Sequence, residues 1–164
     1  MKNSIFIKQA MIVFASFAIL YTAFTSRYEI GFSVQEAHCL HASLFLIDKW
    51  DTDVEKGDIV LFESAKKTGP FQVGDRILKL FVAGAGDNVQ IEETYVVING
   101  EETRYVDMQP NLAVLNMTMD QFDTNIDIPS GQMFMLGETP ESFDSRFWGT
   151  IDESQVIGTA YAIF

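Results

Sequence analysis

The sequence is poor in cysteine, histidine and proline. Among its 164 residues are one cysteine, Cys39, two histidines and four prolines. One cysteine cannot form a disulfide bond within the chain, so the fold must be stable without one. One thiol and two imidazoles are also too few ligands for a structural zinc site. We therefore expect no metal centre, and a domain held together by its hydrophobic core.

Positive charge is scarce as well. Lys and Arg number 11 against 23 Asp and Glu, which gives a formal net charge of −12. Phosphates would be repelled by such a surface, so the composition argues against a nucleic-acid partner. The charge is uneven, because residues 1–27 carry +3 and, since the whole chain is −12, residues 28–164 carry −15.

The N-terminal 27 residues contain one long apolar run, residues 5–24, with two polar interruptions. About twenty apolar residues are enough for a helix that spans a bilayer. Basic residues near the start place the N-terminus in the cytoplasm by the positive-inside tendency. We predict a retained membrane anchor over residues 1–27 and a domain of residues 28–164 outside the cytoplasm. A cleaved secretory signal is the alternative.

The rest of the chain has short β-rich runs separated by Gly, Asp, Asn or Pro, and no long amphipathic helix. Asn99-Gly100 between two such runs predicts a hairpin. The fold class predicted is mainly β, with antiparallel sheets packed on each other or a partly closed barrel. Residues 105–129 lack this alternation of short β-rich runs and turn residues, which predicts an excursion from the sheets with a short helix. The runs predict strands at 44–47, 59–62, 76–82, 89–92, 95–98, 132–136 and 155–162.

Lys79 interrupts the apolar strand predicted at 76–82. Burial of an unpaired ammonium is opposed by desolvation. Such a lysine either extends to solvent from a strand edge, pairs with an acid, or gives up its proton. In the third case the neutral amine can act as a base.

Four segments resemble, in order and in approximate spacing, the conserved boxes of type I signal peptidases and of their relatives in conjugative transfer and pilin processing. The resemblance implies a membrane-anchored, β-rich peptidase with a hydroxyl nucleophile and a lysine base, and no metal or organic cofactor. The segments are "EKGDIVLF" (55–62), "KLFVAGAGDNV" (79–89), "VVING" (96–100) and "GQMFMLGETPESFDSRFWGTI" (131–151).

The resemblance also implies the roles of two residues. Lys79 begins the segment that carries the general base in the family. The segment that carries the nucleophile reads approximately Ser-x-Pro-x-Gly in the conjugative branch, and "CLHASLFLI" (39–47) matches it with Cys39 at the serine. A thiolate is a strong nucleophile, so Cys39 can do the same chemistry. Two alternatives stay open: Ser43 is the nucleophile, or the site is inactive and Cys39 is a packing residue.

The C-terminal segment resembles the S-x-D-S-R box of the family. By position Ser142 would hold the lysine amine, and Asp144 and Arg146 would brace the site. The alternative is a surface turn with an ordinary Asp–Arg pair. The sequence departs from the family at Ala37, where a hydroxyl residue is usual, and at Glu138, where Asp is usual.

The function implied is a membrane-bound endopeptidase that removes leader peptides from exported precursors, with a role in conjugation or type IV secretion. Its partners would be the precursor and the lipid bilayer, and its catalytic domain would lie on the periplasmic side of the inner membrane. The alternative is a membrane-anchored assembly component of a secretion or conjugation apparatus that has lost the chemistry.

Overall fold

The computed structural model describes residues 2–32, 39–122 and 124–164. One long helix precedes a domain of short strands, which confirms the prediction of a mainly β fold. The helices are α1 (Lys2–Arg27), α2 (Gln109–Leu115) and α3 (Ser145–Trp148). The strands are β1 (Tyr28–Phe32), β2 (Leu44–Asp48), β3 (Ile59–Glu63), β4 (Arg76–Ala83), β5 (Asn88–Ile91), β6 (Tyr95–Ile98), β7 (Glu101–Tyr105), β8 (Asn125–Asp127), β9 (Gln132–Leu136), β10 (Ile151–Asp152) and β11 (Val156–Ala162).

Every strand predicted from the β-rich runs is present, with ends that differ by at most one residue. The excursion after residue 105 contains α2, as predicted. The prediction did not include β1, β8 and β10, which are short or carry charged residues, nor the single turn α3. These elements form through pairing or packing with distant parts of the chain.

Two antiparallel sheets make up the domain. The larger has seven strands in the order β1-β2-β11-β3-β4-β9-β10, and the smaller has four in the order β7-β6-β5-β8. Among the described residues the outer strands β1 and β10 of the larger sheet do not pair, so the barrel is not closed. β4 lies inside the larger sheet, paired with β3 along its first half and with β9 along its second.

The hairpin predicted at Asn99-Gly100 joins β6 to β7 in the smaller sheet. Asn99 and Gly100 have φ of 54° and 85°, so both occupy the left-handed region that a two-residue hairpin loop requires. Ile98 and Glu101 face each other directly across the loop.

Buried apolar side chains form three clusters, and β3 and β4 contribute to the two that flank the larger sheet. On one face Val60, Phe62, Ile77 and Phe81 pack with residues of β9 and with Trp148. On the other face Leu61 packs with residues of β2 and β11. The third cluster joins the smaller sheet to α2 and to Phe134 and Leu136 of β9.

α1 is the one described helix long and apolar enough, by length and composition, to cross a membrane. Its apolar part, Phe6–Arg27, has a mean hydropathy of 1.6 and none of it is buried in the protein. Its end is fixed to the domain by Arg27, whose guanidinium donates hydrogen bonds of 2.5–3.0 Å to the Asp48 carboxylate. The same guanidinium lies 5.5 Å from the ring centroid of Trp50.

A buried carboxylate, Asp87, ties the end of β4 to the hairpin. It accepts hydrogen bonds from Asn99 Nδ2 at 2.8 Å, from Gly84 N at 2.9 Å and from Lys56 Nζ at 3.0 Å. The Asn99 amide, followed by the Gly84 N–H and the Lys56 ammonium, lowers the pKa of Asp87 below its ordinary value. These contacts favour the ionised form, so they stabilise the fold while the carboxylate is charged.

We expect Asp87→Asn to reduce the free energy of unfolding at pH 7 by about 1–3 kcal/mol, the usual cost of lost buried hydrogen bonds. Because the pKa of Asp87 is lower in the folded state, the stabilisation is present above the ordinary carboxyl pKa of 3.8 and is lost as pH falls through the lowered value. Urea unfolding of the detergent-solubilised chain at several pH values measures this difference. Glu101→Gln, on the exposed surface of β7, is the control. A difference that does not depend on pH would contradict the assignment.

Candidate active site

The side chain of Lys79 is buried in the middle of the larger sheet. Buried residues alternate with less buried ones along β4, and Lys79 lies on the same buried face as Ile77 and Phe81. It is 1% exposed. The interpretation in which Lys79 extends to solvent from a strand edge is therefore wrong.

The buried amine has a hydroxyl partner. Lys79 Nζ donates a hydrogen bond of 2.8 Å to Ser142 Oγ, and Ser142 is itself fully buried. Among the residues that the structure describes, no carboxylate forms an ion pair with Lys79. The hydroxyl of Ser142 is therefore the hydrogen-bond partner that the structure gives to this buried amine.

Lys79 and Cys39 line the same cavity, which has a volume of about 460 Å³. Cys39 is 7% exposed and lies just before β2. The cavity is walled mainly by residues of β1 and β4. The apolar residues Leu40, Ile47, Leu61 and Phe71 also line it. The structure therefore places Cys39 and Lys79 on the wall of one cavity, which is large enough for a peptide side chain.

Gly137, at the end of β9, explains how the chain around Cys39 comes so close to Ser142. A Cβ atom at Gly137 would lie 2.0 Å from Ser142 Oγ and 2.8 Å from the carbonyl oxygen of Cys39. That carbonyl accepts a hydrogen bond of 2.6 Å from the backbone N–H of Glu138. Only glycine leaves room for Cys39 and Ser142 on either side of the strand end.

Glu138 also holds the turn that follows Cys39. Its carboxylate accepts a hydrogen bond of 2.7 Å from the backbone N–H of His41 and lies 3.3 Å from His41 Nδ1. Ser43, the alternative nucleophile, does not line the cavity. Its hydroxyl and backbone N–H both bond the carbonyl oxygen of Phe164, at 3.4 and 2.8 Å.

The Asp144–Arg146 pair is buried and braces the segment that contains Ser142. Arg146 Nε donates to Asp144 Oδ1 at 2.7 Å, and Asp144 Oδ2 accepts from the backbone N–H of Gly137 at 2.9 Å. Arg146 Nη2 donates to the carbonyl oxygen of Ser142 at 2.6 Å. Both side chains are almost fully buried, so the pair is not the surface turn of the alternative interpretation.

Comparison with known proteins identifies the family. The protein-family model described as signal peptidase, peptidase S26, matches residues 4–164 of this chain. The chain belongs to this peptidase family. The match includes α1, the apolar helix at the N-terminus.

Similar proteins are bacterial signal peptidases. The chain is 24% identical over 115 residues to a probable signal peptidase I-2 of Synechocystis, covering 68% of this chain and 49% of that protein. It is 28% identical over 115 residues to signal peptidase I of Leptolyngbya laminosa, which covers 66% of this chain and 52% of that protein. It is also 28% identical over 118 residues to signal peptidase IB of Staphylococcus aureus, which covers 64% of this chain and 58% of that protein. The chain thus spans about half the length of these curated relatives.

Among solved structures, a signal peptidase I from Enterococcus faecalis is similar, with a TM-score of 0.45 and 24% identity. The alignment covers 65% of this chain and 95% of that one.

Sequence reasoning missed three side chains that hold this candidate site together. Glu138 departs from the family pattern, yet its backbone N–H bonds the carbonyl oxygen of Cys39 and its carboxylate bonds the backbone N–H of His41. Arg104 of β7 donates a hydrogen bond of 3.1 Å to the carbonyl oxygen of Gly137. Asn111 of α2 donates one of 2.7 Å to the carbonyl oxygen of Glu141. Neither Arg104 nor Asn111 lies in a family segment, so no local signal identified them.

Ala37, the departure before the nucleophile, lies outside the described residues. Within the described ranges, no group of three or more His, Cys, Asp or Glu side chains is arranged to hold a metal ion.

We expect Gly137→Ala to displace Ser142 from Lys79, because the added methyl group cannot lie 2.0 Å from Ser142 Oγ. Thermal unfolding should begin at a lower temperature, and the rate of Cys39 alkylation by iodoacetamide should change. Gly100→Ala is the control, since it strains the hairpin at a φ of 85° with nothing within 4 Å of the new carbon. The control should lower stability without a change in Cys39 reactivity. Identical effects of both variants on Cys39 would contradict this account.

Proposed function

We propose that this chain is a membrane-anchored endopeptidase of the signal-peptidase type, in which Cys39 is the nucleophile and Lys79 the general base. The observation that carries the proposal is the buried Lys79–Ser142 hydrogen bond beside a cavity that Cys39 also lines. Membership of peptidase family S26 supports the reaction class.

In the proposed reaction Lys79 takes the proton of the Cys39 thiol, and the thiolate attacks the carbonyl carbon of the scissile peptide bond. The Lys79 ammonium then gives this proton to the departing nitrogen, which leaves as the new amino terminus. A thioester remains on Cys39. Lys79 next takes a proton from a water molecule that attacks the thioester, and it returns this proton to the Cys39 sulfur as the carbon–sulfur bond breaks. The thiol and the neutral amine are thereby restored, and the new carboxylic acid loses its proton to solvent.

Ser142 positions the base in this reaction. The neutral amine has two hydrogens and one lone pair. When one hydrogen is donated to Ser142 Oγ, the lone pair is directed elsewhere and can accept the thiol proton. Asp144 and Arg146 act indirectly, because their hydrogen bonds hold the backbone of Gly137 and Ser142.

Cys39 is favoured over Ser43 as the nucleophile by its surroundings. Cys39 lines the cavity with Lys79, whereas the Ser43 hydroxyl bonds the end of the described chain at Phe164. The hydrogen-bond partner of the Ser43 hydroxyl is a backbone carbonyl and not a base. The thiol is also the more reactive group of the two at neutral pH.

The substrate in this proposal is an exported precursor whose leader peptide lies as an added strand between β1 and β4. Residues 1–27 serve as the retained anchor, and residues 28–164 form the peptidase domain on the periplasmic side of the inner membrane. We assign the enzyme to the conjugative-transfer and pilin-processing branch, because residues 39–47 resemble the nucleophile motif of that branch.

Cys39→Ala and Lys79→Met should each abolish cleavage of a precursor peptide, because one removes the nucleophile and the other the base. Ser142→Ala should lower kcat by about 10²-fold, at the lower end of what a positioned proton-transfer group contributes. Ser43→Ala should retain activity. The experiment uses the purified chain in detergent. Mass spectrometry measures the rate at which each variant forms cleavage products and detects a thioester on Cys39.

Two outcomes would contradict this assignment. If Ser43→Ala abolished cleavage while Cys39→Ala did not, Ser43 would be the nucleophile. If the wild-type chain cleaved no exported precursor of its own host, the alternative of an inactive assembly component would replace the enzyme.

The proposed topology gives a separate expectation. Proteinase K added to intact spheroplasts should degrade the domain of residues 28–164 and leave a membrane-embedded fragment of α1. Immunoblotting with an antibody to the domain measures its loss. A cytoplasmic protein serves as the control for lysis, and protection of the domain in intact spheroplasts would show that it faces the cytoplasm.

A further inference from the structure

A second cavity, distinct from the one at Cys39, lies against the hydrophobic cluster that contains Trp148. Its volume is about 180 Å³, and neither Cys39 nor Lys79 lines it. The two cavities share part of their walls, because Phe71 and Ile77 line both. The apolar lining of the second cavity comes from Phe62, Phe71, Ile77, Trp148 and Ile151.

Trp148 brings an unpaired donor to this lining. The residue is 9% exposed, and its buried indole Nε1–H has no hydrogen-bond partner among the described residues. The ring packs edge to face against Phe71 and Phe143, at centroid distances of 5.6 and 5.2 Å, which restricts its rotation. A buried indole N–H usually finds a partner, because an unpaired donor carries a desolvation cost.

Three other polar side chains of the lining already have partners. Ser64 Oγ donates a hydrogen bond of 2.7 Å to the carbonyl oxygen of Lys66. Gln132 Nε2 donates to Asp152 Oδ2 at 3.1 Å, and Gln155 Nε2 donates to a carbonyl oxygen of β3 at 2.7 Å. In the described lining, the buried donor left for a ligand is therefore the Trp148 N–H.

The charges of the lining favour an uncharged ligand. The charged residues are Lys66 and Asp152, which have opposite signs at neutral pH. A charged ligand would be attracted by one and repelled by the other. It would also lose hydration against the apolar part of the lining.

The volume of the cavity limits the ligand to about one ring. An apolar cavity of about 150 Å³ is enough to bind one benzene molecule. A six-membered ring with a small polar group therefore fits the 180 Å³ of the second cavity. An aromatic ring would also find edge-to-face partners in Phe62 and Phe71.

We propose that the second cavity binds a small uncharged carbonyl compound, such as an aromatic amide. Its ring lies against the apolar lining, and its carbonyl oxygen accepts a hydrogen bond from Trp148 Nε1. The inference goes beyond the proposed function and does not depend on peptide cleavage.

Binding includes a small movement of the lining, because Trp148 Nε1 is itself covered. Lys66 is a lining residue that can move, since it is exposed. Its ammonium lies over α3, where it donates a hydrogen bond of 2.8 Å to the carbonyl oxygen of Trp148. Exposed side chains change rotamer on a timescale of picoseconds to nanoseconds, so this movement does not limit access.

The test uses the purified chain in detergent, with 15N-labelled tryptophan, and the probe 4-fluorobenzamide. Trp50 and Trp148 are the two tryptophans, so the NMR spectrum has two indole signals, which Trp50→Phe assigns. We expect a saturable downfield shift of the Trp148 indole proton, as a new hydrogen bond produces. The Trp50 signal should show no saturable shift.

Two matched variants separate the hydrogen bond from other effects. Trp148→Phe keeps an aromatic ring but removes the N–H, and it should bind the probe roughly three- to tenfold more weakly, the factor that one hydrogen bond contributes. Trp50→Phe removes an indole N–H at a residue that is 67% exposed and outside the cavity, so it should bind like wild type. Fluorine NMR measures each affinity, and circular dichroism checks folding. The charged analogues 4-fluorobenzylamine and 4-fluorobenzoate should bind wild type more weakly than the amide.

A saturable shift confined to Trp148, with weaker binding to Trp148→Phe, would support the proposal. Equal affinity of folded Trp148→Phe and wild type would overturn it, and so would equal affinity of the charged analogues. A probe that shifts neither signal, or shifts both in proportion to its partition into detergent, would also overturn it. So would a long-lived water at the Trp148 N–H that the probe does not displace. If Trp148→Phe does not fold, the wild-type titration decides. The readouts use no peptide cleavage, so the proposed function is tested separately.

Discussion

The structure of the site depends on the cost of burying one amine. Lys79 lies in the middle of a sheet, among apolar side chains, with a hydroxyl group as its partner. A lysine that served only the fold would normally be paired with a carboxylate or extend to water, because an isolated buried charge is strongly unfavourable. The surrounding residues instead give it one uncharged hydrogen-bond partner and a cavity that contains a thiol.

Much of the segment from Gly137 to Arg146 serves to hold that partner. The carboxylate of Asp144 joins the Gly137 N–H to the Arg146 guanidinium, and the guanidinium in turn holds the Ser142 carbonyl. Removing one member of a buried pair leaves the other charge without compensation, which typically costs about 3–5 kcal/mol. The segment is therefore rigid where the site needs a fixed hydroxyl.

The β-rich runs predicted the main strands because alternation and turn residues are local signals. They did not predict β1, since "YEIGF" combines a charge and a glycine and becomes a strand only by pairing with β2. The segments that resemble the family, in contrast, were enough to identify four residues of the candidate site: Lys79, Ser142, Asp144 and Arg146. Glu138 contacts residues 39–41, and its hydrogen bond with His41 joins two residues that are 97 positions apart in the sequence. No local pattern encodes such contacts. The cavity itself is walled by β1 and β4, which three other strands separate in the sheet order, so it depends on how all these strands pack together.

The absence of a linker between α1 and β1 has a mechanical consequence. The helix ends at Arg27 and the next residue begins the strand that forms one wall of the cavity, while Arg27 is clamped to Asp48. Transmembrane helices tilt to match the thickness of the bilayer around them. In the proposed topology, a tilt of α1 would rotate the opening of the cavity relative to the lipid surface, so lipid composition would affect how a precursor reaches Cys39 and Lys79.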